Sequence, residues 1–279
     1  MKNRMCKAAG VGLSMALSLV VSAVSADPLP ARETARVLPR KGWSAGIISP
    51  MAMGFGKGVE LTTMLVPWFL LSPNLSIRAQ LFESRSGIVM TSEYGLAVPT
   101  PAMRLTQGYL FPTYETSGKA PGFVLQQYAG LWLSGGARGV WTGRVDVTTG
   151  LLVGENPQQP LETYAPLDLW FAPATTGSRW HIGGTYDYAI LDWLRARGGL
   201  HGYVVGKSAS PDRSLFYFGA EAALEAGLGK RFRLALGAVW YNYDTGEKSV
   251  ERGDDGRWQR VPVRSNDVFP TLDLIFYSP

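Results

Sequence analysis

The stretch that decides the fold is residues 215–244, which read LFYFGAEAALEAGLGKRFRLALGAVWYNYD. In each half, apolar residues alternate with polar or small ones, and the alternation restarts after Gly229. A period of two residues is the signature of a β-strand, because successive side chains point to opposite faces of a sheet. The two halves therefore predict a β-hairpin with strands longer than those of most soluble sheets.

The apolar face of this hairpin carries no charge and has aromatic residues at both ends. Between Phe232 and Trp240 a tilted strand rises by about 20 Å, close to the height of the apolar band of a transmembrane barrel. We predict an all-β fold, an antiparallel transmembrane β-barrel; one sheet of a soluble β-sandwich is the alternative. The predicted membrane girdle consists of Phe218, Trp240, Phe232 and Trp180.

The alternation also predicts the register of the hairpin. A three-residue loop over 228–230 would place Gly227 opposite Arg231, and loops of this length with a glycine are common in hairpins. On the face turned to the lumen, Glu225 would then lie opposite Arg233. The reverse orientation would place these charges in lipid, which costs about 2–4 kcal/mol for an arginine at the midplane.

Residues 1–26 have the pattern of a cleaved signal peptide, with a basic start, an apolar run from 8 to 21 and small residues before Asp27. Cys6 is the single cysteine of the chain, so the mature chain would contain no disulfide. Cleavage would also lower the net charge from +5 to +2, and no argument for a nucleic-acid partner follows from charge. We predict a periplasmic lead-in over 27–41 and one barrel domain over 42–279.

Alternating segments along the barrel domain predict about 12 strands, an even number as in single-chain bacterial barrels. Residues 99–121 show no clean period, and we interpret them as either a periplasmic segment or a plug in the lumen. Residues 246–265 are predicted to form a long outer loop, and the turn at Gly229 to lie in the periplasm. The strands are predicted at 42–49, 57–64, 75–84, 87–98, 123–133, 138–149, 161–171, 178–188, 194–205, the two halves of the opening hairpin, and 268–277.

The last of these strands ends in aromatic residues over 272–277. This ending resembles the C-terminal signal of Gram-negative outer-membrane β-barrel proteins, although Ser278 and Pro279 follow the last aromatic residue. The resemblance implies location in the outer membrane after secretion through the inner membrane. It also implies contact with lipid and lipopolysaccharide, and assembly by the machinery that recognises the C-terminal strand. It indicates no functional family.

Inward positions near the two histidines of the chain predict a polar row. If the loops set the registers, Asp168, His181 and His201 would lie side by side on three neighbouring strands. Two imidazoles and a carboxylate are able to bind a divalent metal or to act as acid and base. Histidines held by hydrogen bonds in the lumen, without a chemical role, are the alternative interpretation.

A second inward row alternates in sign and contains Asp187, Arg195, Glu225 and Arg233. On the other side of the barrel, Arg78 is predicted to lie opposite Glu93. These charges would either neutralise one another and brace the barrel, or form a constriction that selects small anionic solutes.

Three functions are compatible with these patterns. The first is a passive channel or transporter for small solutes, because the inward faces are polar. The second is a closed structural or surface-interaction barrel that displays residues 246–265. The third is a histidine-dependent enzyme in the lumen, for which no nucleophilic serine is in place. No cofactor is expected, and the patterns do not decide whether a metal binds.

Overall fold

A computed structural model describes residues 29–106, 122–154, 165–207, 213–252 and 257–278 of the chain. Twelve antiparallel strands form one closed barrel in which each strand pairs with its neighbours in sequence, and β1 pairs with β12. The strands are β1 Trp43–Gly46, β2 Met51–Gly56, β3 Val59–Thr63, β4 Asn74–Glu83, β5 Val89–Ala97, β6 Phe123–Gly136, β7 Gly139–Val153, β8 Ser178–Leu191, β9 Leu194–Val205, β10 Phe216–Gly227, β11 Phe232–Arg252 and β12 Trp258–Tyr277.

The barrel has its apolar surface outside and its charges inside. Large apolar side chains on the outer face are about half exposed, among them Leu224, Leu236 and Leu272. Arg195 and Asp187, by contrast, are each only 1% exposed and point into the lumen. This inversion relative to a soluble protein is the arrangement expected of a transmembrane barrel. The predicted fold class is confirmed, and the sandwich alternative is wrong.

The aromatic girdle forms two clusters on the outer face of the opening hairpin. The rings of Phe218 and Trp240 meet edge to face with centroids 5.7 Å apart, and those of Phe232 and Phe276 lie 5.1 Å apart. Trp180 on β8 is 56% exposed on the same outer surface. The four girdle residues therefore lie on the outer face, and their position at a membrane interface stays a prediction.

The two ends of the barrel differ in the length of their connections. One end, here called the terminal end, carries the start of β1, the end of β12 and short turns such as 57–58, 137–138 and 192–193. The other end, called the loop end, carries the long connections 64–73, 98–122, 154–177 and 206–215. Short turns on one side and long loops on the other are typical of outer-membrane barrels.

The predicted number of strands is confirmed, but two assignments are wrong and compensate for each other. The first error is that β2 was not predicted. The second is the predicted strand 161–171, of which residues 165–171 belong to a helix. Residues 161–164 lie outside the described residues. Every strand between these two errors was consequently assigned the wrong direction. The connection 98–122 joins β5 to β6 at the loop end, whereas the predicted strand order would place 99–121 at the same end as the termini if it were a periplasmic segment. Residues 107–121 lie outside the described residues.

The segment 246–265 is largely a hairpin and not an irregular loop. β11 runs to Arg252 and β12 starts at Trp258, with a register shift between Asp244 and Lys248. Its position at the loop end agrees with the prediction. The hairpin thus extends the barrel wall beyond the apolar belt.

Two predicted registers are wrong by two residues. Gly227 pairs with Arg233 where Arg231 was predicted, and His181 pairs with Tyr203 where His201 was predicted. A shift of two residues leaves every side chain on its face, so the predicted lumen face is preserved. The pairing of Arg78 with Glu93 is confirmed.

In the described parts of the loop-end connections there are three short helices: α1 Leu65–Phe69, α2 Thr100–Leu105 and α3 Ala165–Thr175. Within the described residues, no helix is long and apolar enough to cross a membrane. Ala165, Leu169 and Ala172 of α3 are buried against Tyr217 of β10. Their spacing of four and three residues is helical, which explains why this segment folds inward as a helix and not as a strand.

The outer belt makes a direct prediction about membrane stability. A Leu236→Arg substitution on β11 is expected to cost about 2–4 kcal/mol of the free energy of unfolding, because it places a cation near the bilayer midplane. Val250→Arg, on the same strand beyond the belt, is expected to cost at most about 1 kcal/mol. Reversible unfolding from lipid vesicles measures both values, and equal costs would contradict the assigned position of the belt.

Candidate functional site: the lumen

The N-terminal segment 29–38, called the plug segment below, lies inside the barrel at the terminal end. Its backbone binds inward side chains on opposite walls: Arg195 Nη1 donates to Leu29 O at 2.7 Å, and Ala35 N donates to Ser134 Oγ at 2.6 Å. Leu38 N donates to Glu60 Oε2 at 2.7 Å. The predicted lead-in over 27–41 therefore includes a stretch that crosses the lumen.

The predicted charge row is where this segment is held. Glu225 lies opposite Arg195, as predicted, and forms an ion pair with Arg233 at 2.8 Å. Arg32 of the plug segment adds a second ion pair to Glu225 at 2.7 Å, and Arg233 Nη1 also donates to Pro30 O at 2.7 Å. The row therefore binds a segment of its own chain that is not part of the barrel wall.

Two members of the row are connected differently from the prediction. Asp187 pairs across the sheet with Arg197, not with Arg195. Arg195 still reaches it, because Arg195 Nη2 donates to the backbone oxygen of Asp187 at 3.1 Å. Both residues are 1% exposed, so the terminal end of the lumen is tightly packed around these groups.

On the other wall, Arg78 and Glu93 are neighbours in register but have different partners. Arg78 Nη1 donates to Glu60 Oε1 at 2.9 Å, and Arg78 Nη2 donates to the backbone oxygen of Thr34 in the plug segment. Glu93 instead accepts from Ser76 Oγ at 2.6 Å and from Trp132 Nε1 at 2.9 Å. Arg78 thus belongs to the set of barrel arginines that hold the plug segment.

Glu33 at the centre of the plug segment is paired with Arg197 at 2.7 Å. The Arg197 guanidinium holds the pKa of the Glu33 carboxyl below its usual value, against the opposing effect of burial. Glu33 also has a φ of 51°, a left-handed conformation that side chains other than glycine adopt at a cost. The ion pair therefore stabilises a backbone turn that would otherwise be unfavourable.

The two histidines lie together in the middle of the lumen. His181 Nε2 and His201 Nδ1 are 3.1 Å apart, although the strands are shifted by two residues from the predicted register. The carboxylate beside His181 is Asp146 of β7, whose Oδ2 lies 2.6 Å from His181 Nδ1. Glu221 of β10 closes the other side, with Oε2 at 3.7 Å from His201 Nε2. Four neighbouring strands thus carry one chain of acid, imidazole, imidazole and acid.

Asp168 is not part of this row, contrary to the prediction. It lies on α3, where its Oδ2 accepts a hydrogen bond from Tyr217 OH at 3.2 Å. Because 165–171 forms a helix, β7 pairs directly with β8 and brings Asp146 next to His181. The alternation of β7 predicts Asp146 and Arg144 on its inward face, but it does not predict that β7 lies beside β8.

The tautomers of the histidines follow from their neighbours. The Asp146 carboxylate requires a proton on His181 Nδ1, which makes His181 Nε2 an acceptor for His201 Nδ1–H. His201 Nε2 then faces the Glu221 carboxylate across 3.7 Å.

This geometry gives no support to a metal or acid–base site. Each of the four ring nitrogens faces another protein group, so none is directed at a substrate. Across the described residues, no three histidine, cysteine, aspartate or glutamate side chains are arranged to hold a metal ion. The hydrogen-bonded interpretation of the lumen histidines is the one that these contacts favour.

Above the plug segment the lumen contains a cavity of about 470 Å³, continuous with a smaller one of about 190 Å³. The larger volume falls in the range of small-molecule sites. Shared lining residues are Glu33, Trp132, Arg144, His181, Tyr203 and Tyr241. Most of this polar and aromatic lining comes from β6 to β11, and α3 covers part of the cavity at the loop end.

Arg144 is the most accessible of the arginines around the cavity. Its side chain is 31% exposed and lies over the Trp132 ring at 4.4 Å from the centroid. Arg144 Nη2 donates to Tyr128 OH at 2.9 Å, and Nε lies 2.7 Å from Asp146 Oδ2. Among the described residues, Arg144 Nη1 has no hydrogen-bond partner. A stacked guanidinium with one open donor is suited to an anionic group.

Comparison with known proteins adds little beyond the architecture. No protein-family model matches the chain, and no curated protein sequence matches it. Among solved structures, the chain is similar to the outer-membrane expressed OmpT of Vibrio cholerae, at 8% identity over 82% of this chain and with a TM-score of 0.44. The chain spans 64% of the length of that protein. The closed barrel described above resembles, in architecture, the outer-membrane β-barrel proteins of Gram-negative bacteria.

Proposed function

We propose that this protein is an outer-membrane transporter for small solutes whose lumen is closed at rest by its own plug segment. The terminal end would face the periplasm, and the apolar belt would contact lipid and lipopolysaccharide. The observation that carries the proposal is a polar lumen with a cavity, blocked at one end by ten residues of chain that are not part of the barrel wall.

The way in which the plug segment is held favours a movable gate over a permanent core. Only Leu29 and Ala35 contribute buried apolar side chains, and the other contacts are hydrogen bonds and ion pairs. Water and solute ions are able to replace such contacts when the segment leaves, so release costs less than unpacking an apolar core of the same length. The twelve-stranded wall does not depend on this segment for its closure.

A variant that lacks residues 29–38 is expected to conduct ions across planar bilayers, whereas the intact protein is expected to remain closed for most of the recording. Glu33→Lys, which replaces the ion pair to Arg197 by a repulsion, is expected to produce frequent openings. Glu247→Lys, on the distant hairpin, serves as the matched control and should behave like the intact protein. Each protein is first checked for heat-modifiable migration on a gel.

If neither plug variant conducts ions although both assemble normally, the channel proposal is wrong. A closed barrel that displays the hairpin at 246–265 would then become the better hypothesis. That alternative predicts a partner whose binding is lost when the hairpin is shortened.

The opening of the gate is expected to depend on acid. Because Arg197 lowers the pKa of Glu33 in the docked state, the pair contributes stability above the ordinary carboxyl value of 4.5 and loses it as the pH falls through the lowered pKa. Openings should therefore be rare between pH 7 and 5 and increase below pH 4.5. In Glu33→Gln the frequency of openings should increase less between pH 7 and 3, because this variant has no ionisable carboxyl to pair with Arg197. If the pH profile of this variant equals that of the intact protein, Glu33 is not the titrating group.

A further inference from the structure

The lumen cavity also has an apolar side that the polar gate does not use. Near Arg144 and His181 its lining is polar, but toward β1 to β3 it is formed by Ile48, Pro50 and Met64. Ile48 and Met64 are 41% and 39% exposed, so the cavity reaches the surface there. The cavity thus changes from a polar floor to an apolar mouth.

This mouth lies where the barrel wall is lowest. β1, β2 and β3 contain 4, 6 and 5 residues, whereas β6 and β8 contain 14 each. Five residues of a strand tilted by about 40° rise by only about 13 Å, against an apolar band of about 25 Å. The wall formed by these three strands therefore covers only about half of the apolar thickness.

The closing seam of the barrel shows the same asymmetry. β1 pairs only with Ile275, Phe276 and Tyr277, although β12 continues to Trp258. The loop after β1 is tied to β12 at Asp273, whose carboxylate accepts from the backbone N–H groups of residues 47, 48 and 49 at 2.8, 3.0 and 2.9 Å. Within the described residues, the strand pairing of this seam ends there, low in the apolar belt.

We propose that the cavity binds a single-chain amphiphile with an anionic head, which enters sideways from the membrane over the β1–β2 hairpin. The head would accept a hydrogen bond from Arg144 Nη1, and the chain would leave between Ile48, Pro50 and Met64. An apolar mouth that opens to the belt favours an amphiphile, because an alkyl chain is able to pack against it. A fully water-soluble anion would lose its hydration there without gaining a polar contact. The inference rests on the proposed function, because it names the class of solute that the transporter would carry.

Dodecanoate is the probe, and native mass spectrometry of the full mature protein in a nonionic detergent is the measurement. The intact protein is expected to bind dodecanoate about tenfold more strongly than dodecan-1-ol, which lacks the charge, and than acetate, which lacks the chain. Arg144→Gln is expected to lose about tenfold in dodecanoate binding. Arg260→Gln, an exposed arginine on the hairpin, should bind as the intact protein does.

The sideways entry is tested separately. Pro50→Trp fills the mouth and is expected to weaken dodecanoate binding, whereas Val145→Trp, on the outer face of the opposite wall, should leave it unchanged. If Arg144→Gln fails to assemble, Arg144→Lys replaces it and should weaken binding, because an ammonium cannot reproduce the stacked guanidinium. Heat-modifiable migration identifies the assembled proteins.

Equal binding of acetate and dodecanoate, or binding that is insensitive to Arg144 or to Pro50→Trp, would overturn this proposal. The plug variants distinguish such a failure from failure of the transporter. Conductance without dodecanoate binding would reject only the amphiphile, and dodecanoate binding without conductance would reject only the gated channel.

Discussion

A Glu225→Ala protein is expected to lose about 3–5 kcal/mol of the free energy of unfolding. Glu225 is 3% exposed and neutralises Arg233 at 2.8 Å and Arg32 of the plug segment at 2.7 Å. Its removal leaves the buried Arg233 guanidinium without a counter-charge and leaves Arg32 with only the Asp273 carboxylate, 3.7 Å away. Such uncompensated burial is far more costly than the loss of a surface ion pair. Unfolding from lipid vesicles in urea measures the loss.

The matched control for Glu225 is Glu83, which pairs with Arg36 of the plug segment at 3.5 Å while both side chains are about half exposed. Glu83→Ala is expected to cost at most about 1 kcal/mol. If Glu225→Ala and Glu83→Ala lowered the free energy of unfolding by the same small amount, the lumen around Glu225 would be solvated. The plug segment would then not be docked as described. Glu225→Ala should also increase channel openings, because it removes the shorter of the two ion pairs that hold Arg32.

An Asp146→Ala protein is the second variant with a large expected effect, again a loss of about 3–5 kcal/mol. The Asp146 side chain is fully buried and lies 2.7 Å from Arg144 Nε and 2.6 Å from His181 Nδ1. Without its carboxylate, Arg144 lacks its counter-charge and the proton on His181 Nδ1 loses its acceptor. The loss is measured by the same urea unfolding as for Glu225.

Two further substitutions separate the charge of Asp146 from the histidine chain. Asp146→Asn keeps an acceptor for His181 and is expected to be destabilised less than Asp146→Ala. His181→Ala is expected to lower the free energy of unfolding less in the Asp146→Ala protein than in the intact protein, because the two residues share one hydrogen bond. Fully additive losses would show that Asp146 acts independently of the histidines.

The alternation of residues was sufficient to predict the fold class and the face of the wall on which the lumen residues of the strands lie. The number of strands was correct only because one missed strand and one wrongly assigned strand compensated for each other. Alternation was insufficient for register, because it is unchanged when a strand slides by two residues. His181 and His201 were therefore predicted to pair directly, yet they meet diagonally across strands shifted by that amount. Long side chains span the diagonal distance, so the predicted neighbours still touch.

Contacts of the site were predicted correctly only where the neighbouring strand had been identified correctly. Asp168 was placed beside His181 because 161–171 was interpreted as a strand, and the helical spacing of Ala165, Leu169 and Ala172 outweighs the weak alternation there. With residues 165–171 in a helix, β7 became the neighbour of β8, and Asp146 took the position expected for Asp168. One error in an element thus changed the identity of a site residue.

The sequence by itself determined that charges line a lumen and that apolar side chains face outward, because period two leaves each residue only two faces to occupy. The tertiary structure alone decided what those charges bind. Arg32 and Glu225 are 193 positions apart in the chain, and no local pattern specifies a contact at that separation. From the sequence, the row of charges from Asp187 to Arg233 was predicted either to brace the barrel or to form a constriction. The folded chain shows a third arrangement, in which these charges hold the protein's own N-terminal segment across the lumen.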